Sequence, residues 1–261
     1  MALTVEKIYA QNALQNYNYL IYDRETKDCL IVDPLKEELL IATIKTLNLN
    51  PQYIVNTHEH LDHTSGNSCL CQRYSVRVVV HESLLSKVPH ANHPVQQGDS
   101  LSLGSDQIAI LYTPGHTLGH ICLYVPSEPP MLFCGDTLFH GGVGNCYHGG
   151  DVEQLYETFE KIIFKIPRSA QVFPGHRYLE RNLLFGLSIL PDDHYLRQAY
   201  EAWQKTHNDI RTVADEFESN LFFRLDDPSL RRSLYQKKEI SSLQCSNKEV
   251  FLALRRLRDR W

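Results

Sequence analysis

The sequence predicts an α/β fold with a C-terminal helical domain, on three observations. Short apolar runs rich in β-branched and aromatic residues alternate with Gly, Pro and Asp turns through the first 175 residues. Four of these runs end in a histidine or an aspartate: His58 with His60, His116, Asp136 and His176. Beyond that point the texture changes to helical spacing and good helix formers, which divides the chain into a first domain over 1–175 and a helical domain over 176–261.

Taken in order, LTVEKIY, YNYLIYD and CLIVD read as strands, and a helix follows from Lys36 to Leu47. YIVN at 53–56 is a short buried strand, and THEHLDH after it delivers His58, His60, Asp62 and His63 from a loop. A helix is expected to start within Ser65–Arg73, and VRVVVH is another strand. QIAILYTPGH, HICLYV, MLFCGD and AQVFPGH each carry an apolar strand towards a turn. Residues 178–219 read as helical, with Pro191 as punctuation, and there is no internal repeat.

With 261 residues, 43% of them hydrophobic, the chain can fill a core of its own. A net charge of −5 argues against a protein built to hold nucleic acid, so an anionic ligand needs a local basic patch. MALTVEKIYAQ lacks the basic start and apolar middle of a secretory signal, and no apolar run approaches the ~20 residues of a membrane span. A cytoplasmic monomer without membrane or nucleic-acid partners is expected. Seven cysteines without framework spacing fit reduced thiols, and Cys69 and Cys71 are too close together for a zinc ribbon.

Imidazole and carboxylate groups are ligands for divalent transition metals. His58 and His60 lie two apart, so in extended backbone both point to one side and can share an ion. Asp62 and His63 follow a turn that aims them at a neighbouring position. Four such groups do not crowd one tetrahedral ion, so the spacing points to two ions side by side. Strand ends supply the remaining ligands: one ion takes His58, His60 and His116, the other Asp62, His63 and His176, and Asp136 bridges. Glu59 is read as a solvated side chain. The other histidines, His81, His90, His93, His120, His140, His148, His194 and His207, are read as ordinary surface or core residues.

The pattern HxHxDH, with His116, Asp136 and His176 in TPGH, GDTLF and PGH contexts and IVDP at 31–34, resembles the metallo-β-lactamase superfamily. GDTLFHGGVGNCYHGG, PGHRYLERNLLF and the tail ending LRRLRDRW are similar to glyoxalase II, the hydroxyacylglutathione hydrolases, over essentially the whole chain. The resemblance implies a four-layer αββα sandwich with a C-terminal helical domain that helps hold a glutathione thioester. It also implies a dinuclear zinc site, with iron or manganese as substitutes.

Two cations sharing a water lower its pKa from about 15.7 towards ~7, which makes hydroxide available as the nucleophile on a thioester carbonyl. Asp62 and Asp136 are the expected catalytic carboxylates, fixing its position and charge. Residues 231–261 hold nine basic and three acidic side chains, which supplies the missing basic patch. Arg255 and Arg258, three apart on a helix, can clamp a carboxylate. They match the family's glutathione-carboxylate positions, and Tyr147 and Tyr178 match two of its substrate-contacting tyrosines. Asn145 and Cys146 depart from the family's Lys or Arg followed by an aromatic, and His148 stands where an acidic residue is usual. One positive contact to substrate is therefore missing.

The leading expectation is hydrolysis of S-D-lactoylglutathione to D-lactate and glutathione, the second step of methylglyoxal removal. The alternatives are a persulfide dioxygenase-like or other thioester-cleaving member with a different thiol carrier, and a non-catalytic metal-binding protein. The full second ligand set and the long helical tail argue against the dioxygenase branch.

Overall fold

Alternate residues in the first sheet serve two different cores, as the two-residue period of a strand requires. The computed structural model describes residues 3–208 and 210–261. The first sheet runs β1 (Thr4–Tyr9), β2 (Tyr17–Tyr22), β3 (Asp28–Val32), β4 (Asn50–Val55), β5 (Arg77–His81) and β6 (His93–Val95), in that spatial order. Pairing is antiparallel from β1 to β3 and parallel from β3 to β6. In β3, Leu30 and Val32 face the second sheet, while Cys29 and Ile31 face α1 (Glu37–Leu47).

The second sheet contains β7 (Ser100–Leu103), β8 (Asp106–Tyr112), β9 (Ile121–Val125) and β10 (Met131–Gly135). The small hairpin of β11 (Leu138–Phe139) and β12 (Gly142–Val143) stands apart, and β13 (Gln171–Pro174) and β14 (Arg211–Thr212) complete the sheet beyond β10. The two sheets close on one apolar layer that includes Tyr19, Ile21, Val55, Ile108, Leu123 and Phe133.

Helices α2 (Leu61–Thr64) and α3 (Asn67–Arg73) follow β4, and α3 covers the first sheet together with α1. On the far side lie α4 (Val152–Lys161), α5 (Leu179–Ile189), α6 (His194–Thr206), α7 (Val213–Ser219), α8 (Pro228–Gln236) and α9 (Asn247–Arg260). Phe159, Phe222 and Phe251, all fully buried, knit α4, α9 and the 221–223 turn into one core with the outer face of the second sheet. The order of layers is αββα, with the helical tail on one outer face. No helix among the described residues is long and apolar enough to cross a membrane.

Two elements differ from the sequence reading. The helix α3 begins at Asn67, within the expected 65–73, but the short helix α2 precedes it from Leu61, because His60 stays extended while the His63 N–H bonds back to the His60 carbonyl. This folds Asp62 and His63 into a helical turn. Arg211 and Thr212, inside a stretch read as helical, instead add β14 to the edge of the second sheet. Thr212 also caps α7 through a reciprocal box with Asp215, so the helix starts one residue later.

The parallel pair β10 and β13 brings Gly135 opposite Pro174, so the chain leaves both strands side by side into Asp136 and His176. The close approach demands glycine. A Cβ on Gly175 would lie 2.3 Å from Asp136 Oδ1, and Gly135 has a φ of +44° with no room beside Thr57 and His120.

Candidate metal centre and its adjoining cavity

Seven side chains from four strand ends meet in two sets. His58 Nε2 and His116 Nε2 lie 3.0 and 3.1 Å from His60 Nδ1. Beside them, His63 Nε2 lies 3.2 Å from His176 Nε2, and Asp62 Oδ2 is 3.5 Å from both. Asp136 stands between the sets: Oδ2 is 3.2 Å from His176 Nε2 and 3.5 Å from His116 Nε2, while Oδ1 is 3.5 Å from His63 Nε2. Each set of three can converge on one cation.

The donor chemistry fits two divalent ions. A ring nitrogen that donates to a fixed acceptor leaves the other as a bare lone pair, the form a metal binds. His116 Nδ1 bonds the Asn145 carbonyl at 2.6 Å, His176 Nδ1 the Leu14 carbonyl at 2.7 Å, and His60 Nε2 the His148 carbonyl at 3.0 Å. His63 Nδ1 faces Asp33 Oδ2 at 2.9 Å, and His58 Nδ1 the Thr57 hydroxyl at 2.9 Å. Every histidine of the two sets is thus tied on one side and turned inward on the other. Asp136 Oδ1 is buried without a hydrogen-bond partner, a costly arrangement that a cation relieves.

Electrostatics agree. Burial lowers the pKa of His58 well below the usual imidazole value and that of His116 less strongly, which keeps both neutral and able to bind a metal. Burial opposes the charge on Asp136, yet His176, His63 and His116 together hold it well below the carboxylate range. Burial opposes a charge on His63 too, but Asp136 and Asp33 raise it well above normal. This corner requires positive charge, which a bound cation supplies in place of a proton.

A cavity of about 210 Å³ opens beside the centre, lined by Phe139, Asn145, Tyr147, Tyr178, Arg181, Arg255 and Arg258 among others. Its wall joins the metal sets directly. Tyr178 stacks on His176 at 4.8 Å and 7°, and the Asn145 carbonyl holds His116. The five substrate candidates therefore share one cavity, though their donors differ in availability. Arg255 is 6% exposed and donates to the carbonyls of Val143 and Gly144 and to Asp259, which leaves little of its guanidinium for a ligand. Arg258 is held by the Asn182 side chain at 3.3 Å, and Tyr147 is 67% exposed at the rim. The Asn145 Oδ1 accepts the Tyr147 N–H at 3.2 Å.

A model of the metallo-β-lactamase superfamily matches residues 12–176, and one of the hydroxyacylglutathione hydrolase C-terminus matches residues 177–261. A hydroxyacylglutathione hydrolase of Nitrosococcus oceani is 38% identical over 99% of this chain and 100% of its own length. The chain belongs to the hydroxyacylglutathione hydrolase family. It is a metal-dependent hydrolase of the glyoxalase II type. A second relative, named a cytoplasmic hydroxyacylglutathione hydrolase, from Arabidopsis thaliana, is 36% identical over 91% of this chain and 95% of its own. The crystal structure of ETHE1 from Myxococcus xanthus shares the fold at a TM-score of 0.68 and 22% identity, covering 97% of this chain and 90% of that one.

In this glyoxalase II-type chain several supporting residues go beyond the sequence reading. Asp33 accepts from the Thr57 N–H and hydroxyl, both at 2.7 Å, as well as facing His63; the IVDP motif was its signal. His120, read as an ordinary residue, is buried at the centre: its Nε2 accepts the Asp136 N–H at 3.1 Å and its ring stacks on His58. Its place as the second histidine of TPGHTLGH was the available signal. Asn16, which nothing singled out, donates to Asp62 Oδ2 at 2.9 Å. His140 is also buried, against Glu216, and His148 lends its carbonyl to His60. Glu59 is only partly solvated: its Oε2 is buried without a hydrogen-bond partner, and Lys87 lies 3.9 Å from the other oxygen.

Asp33 holds His63 directly and His58 through the Thr57 hydroxyl, one residue in each set, so Asp33→Ala is expected to weaken metal binding by about 10- to 100-fold. Titration with a competing chelator should release metal from the variant at lower chelator concentration than from the wild type, and an unchanged release curve would contradict the role.

Proposed function

We propose that this chain hydrolyses S-D-lactoylglutathione to D-lactate and glutathione in the cytosol, with two zinc ions that iron or manganese can replace. The observation that carries this reading is the placement of two ligand sets sharing Asp136 against an arginine-lined cavity. Residues 1–175 are taken as the metal-binding domain and 176–261 as the domain that holds the thiol carrier.

When bound, the two ions supply an activated water at neutral pH and a Lewis acid for the carbonyl oxygen. Asp136 and Asp62 are the proposed catalytic carboxylates. Asp62 is steadied by Asn16, and Asp136 by the His120 contact to its backbone, so neither must reorganise during the reaction. Tyr178, flat against His176, walls the route between cavity and ligand sets, and Asn145, Tyr147, Arg255 and Arg258 line the carrier's side. Water adds to the acyl carbon and the C–S bond breaks. The leaving thiolate is a weak base compared with an alkoxide, so a dedicated general acid is not required. Cys146 is not the nucleophile, because burial pushes its thiol up to about 12.

The test is a steady-state assay on S-D-lactoylglutathione with the metal-loaded enzyme and a His58→Ala control. Turnover of the wild type far above the control supports the reading, and equal rates refute it.

A further inference from the structure

We propose that Arg181 is a specificity residue that binds a carboxylate of the thiol carrier, supplying the positive contact that Asn145 cannot. The inference deepens the reading of a glutathione thioester as substrate and rests on it.

Glutathione carries two carboxylates, one on its glycine and one on its γ-glutamyl group. The cavity beside the metal centre holds three guanidiniums, of which Arg255 is neutralised by Asp259 at 2.8 Å and spends its other hydrogens on backbone carbonyls. Among the described residues, neither Arg258 nor Arg181 has an acidic partner within ion-pairing distance. Two unpaired cations thus face a ligand with two anions. Burial, and after it the neighbouring Arg181 and Arg255, push the Arg258 pKa down to about 10. An anion between Arg258 and Arg181 relieves their mutual repulsion.

Arg181 occupies the first turn of α5, three residues after Tyr178, so both project from one side of the helix start. It also lines a second cavity, of about 570 Å³, formed with Tyr9, Arg177, Tyr178, Glu180 and Trp203. Arg181 therefore stands at the shared edge of two hollows that Tyr178 separates from the metal ligands. A carrier whose sulfur lies by Tyr178 can extend one end to Arg258 and the other to Arg181. Because Arg181 is exposed, its replacement leaves the core untouched.

The experiment compares wild type, Arg181→Gln and Arg181→Lys, all metal-loaded, on three lactoyl thioesters. The carriers are glutathione, its glycyl ethyl ester and cysteinylglycine, which lack the glycine and the γ-glutamyl carboxylate respectively. For Arg181→Gln, KM on lactoylglutathione should rise about five- to tenfold with kcat within about twofold, as loss of one charge-assisted contact predicts. Arg181→Lys should recover most of it, and the penalty should vanish on the one analogue that lacks the carboxylate concerned. An unchanged KM, a fall in kcat alone, or an equal penalty on all three thioesters overturns the inference. If the wild type itself fails on lactoylglutathione, the substrate reading falls with it; an active wild type with an indifferent Arg181→Gln sinks only this inference.

Discussion

Asp136→Ala should cut kcat on the thioester by about 10³-fold or more while the chain stays folded and keeps its second metal set only weakly loaded. Its carboxylate lies within 3.5 Å of ligand nitrogens in both sets, so its removal takes a donor from each of them. It also removes the negative charge that offsets the histidines around it. Elemental analysis alongside kinetics checks the point: activity should fall together with metal content, and near-normal turnover at reduced metal content would show that one ion suffices. His58→Ala should act through the other route, loss of a nitrogen ligand from the first set, and the two variants should not be additive because both dismantle one centre.

The second large effect concerns stability. Glu216 is 0% exposed, and all its acceptor capacity is used: Oε1 takes Arg211 Nε at 3.1 Å and faces His140 Nδ1 at 3.2 Å, and Oε2 takes the Gly141 N–H at 2.8 Å and Asn220 Nδ2 at 3.0 Å. Glu216→Ala removes the carboxylate that pairs with the half-buried Arg211 and leaves the buried Gly141 N–H and Asn220 amide without their acceptor, and should cost about 3–5 kcal/mol. Because Asn182 bonds the His140 carbonyl and also holds Arg258, the variant should raise KM as well.

The pH dependence follows from the same group. Burial raises the Glu216 pKa, but Arg211 and His140 outweigh it and bring it down to about 2, from 4.5 for an unperturbed glutamate. Its folded value is depressed, so its stabilisation is complete above about 4.5 and is lost as pH falls through about 2. Burial lowers His140 despite Glu216, so the folded chain holds it neutral, and acidification through 6.5 already begins to favour the unfolded state. Denaturant titrations should show the gap between wild type and Glu216→Ala narrowing between about pH 4.5 and 2. A constant gap over that range contradicts the assignment.

Much of the centre is legible in the sequence because its candidate ligands sit at strand ends, where an apolar run gives way to a His or Asp in a Gly or Pro turn. The period of two relating His58 to His60, and the turn expected before Asp62 and His63, divide THEHLDH between the two side-chain sets that the fold brings together. The αββα layering was less accessible: strand order and sheet assignment depend on pairings such as β10 with β13, separated by α4 and its turns, which periodicity cannot supply. His120 was passed over because a buried histidine that fixes backbone looks the same in sequence as a core residue. Glu59 reads as solvated because carboxylates are rarely buried, whereas in the structure only one of its oxygens is buried and the other lies near Lys87. Glu216 lies 76 residues from His140, and Arg181 lies in a helical pattern where a surface arginine is unremarked. Only the tertiary structure gives either a role.

The most direct test of the central claim is simultaneous measurement of bound metal and of S-D-lactoylglutathione turnover as chelator is titrated into the loaded enzyme. The structure predicts two equivalents per chain and an activity that disappears with them, restored when metal is returned. Two tightly bound equivalents with no thioester hydrolysis, or full hydrolysis in the metal-free chain, would contradict it.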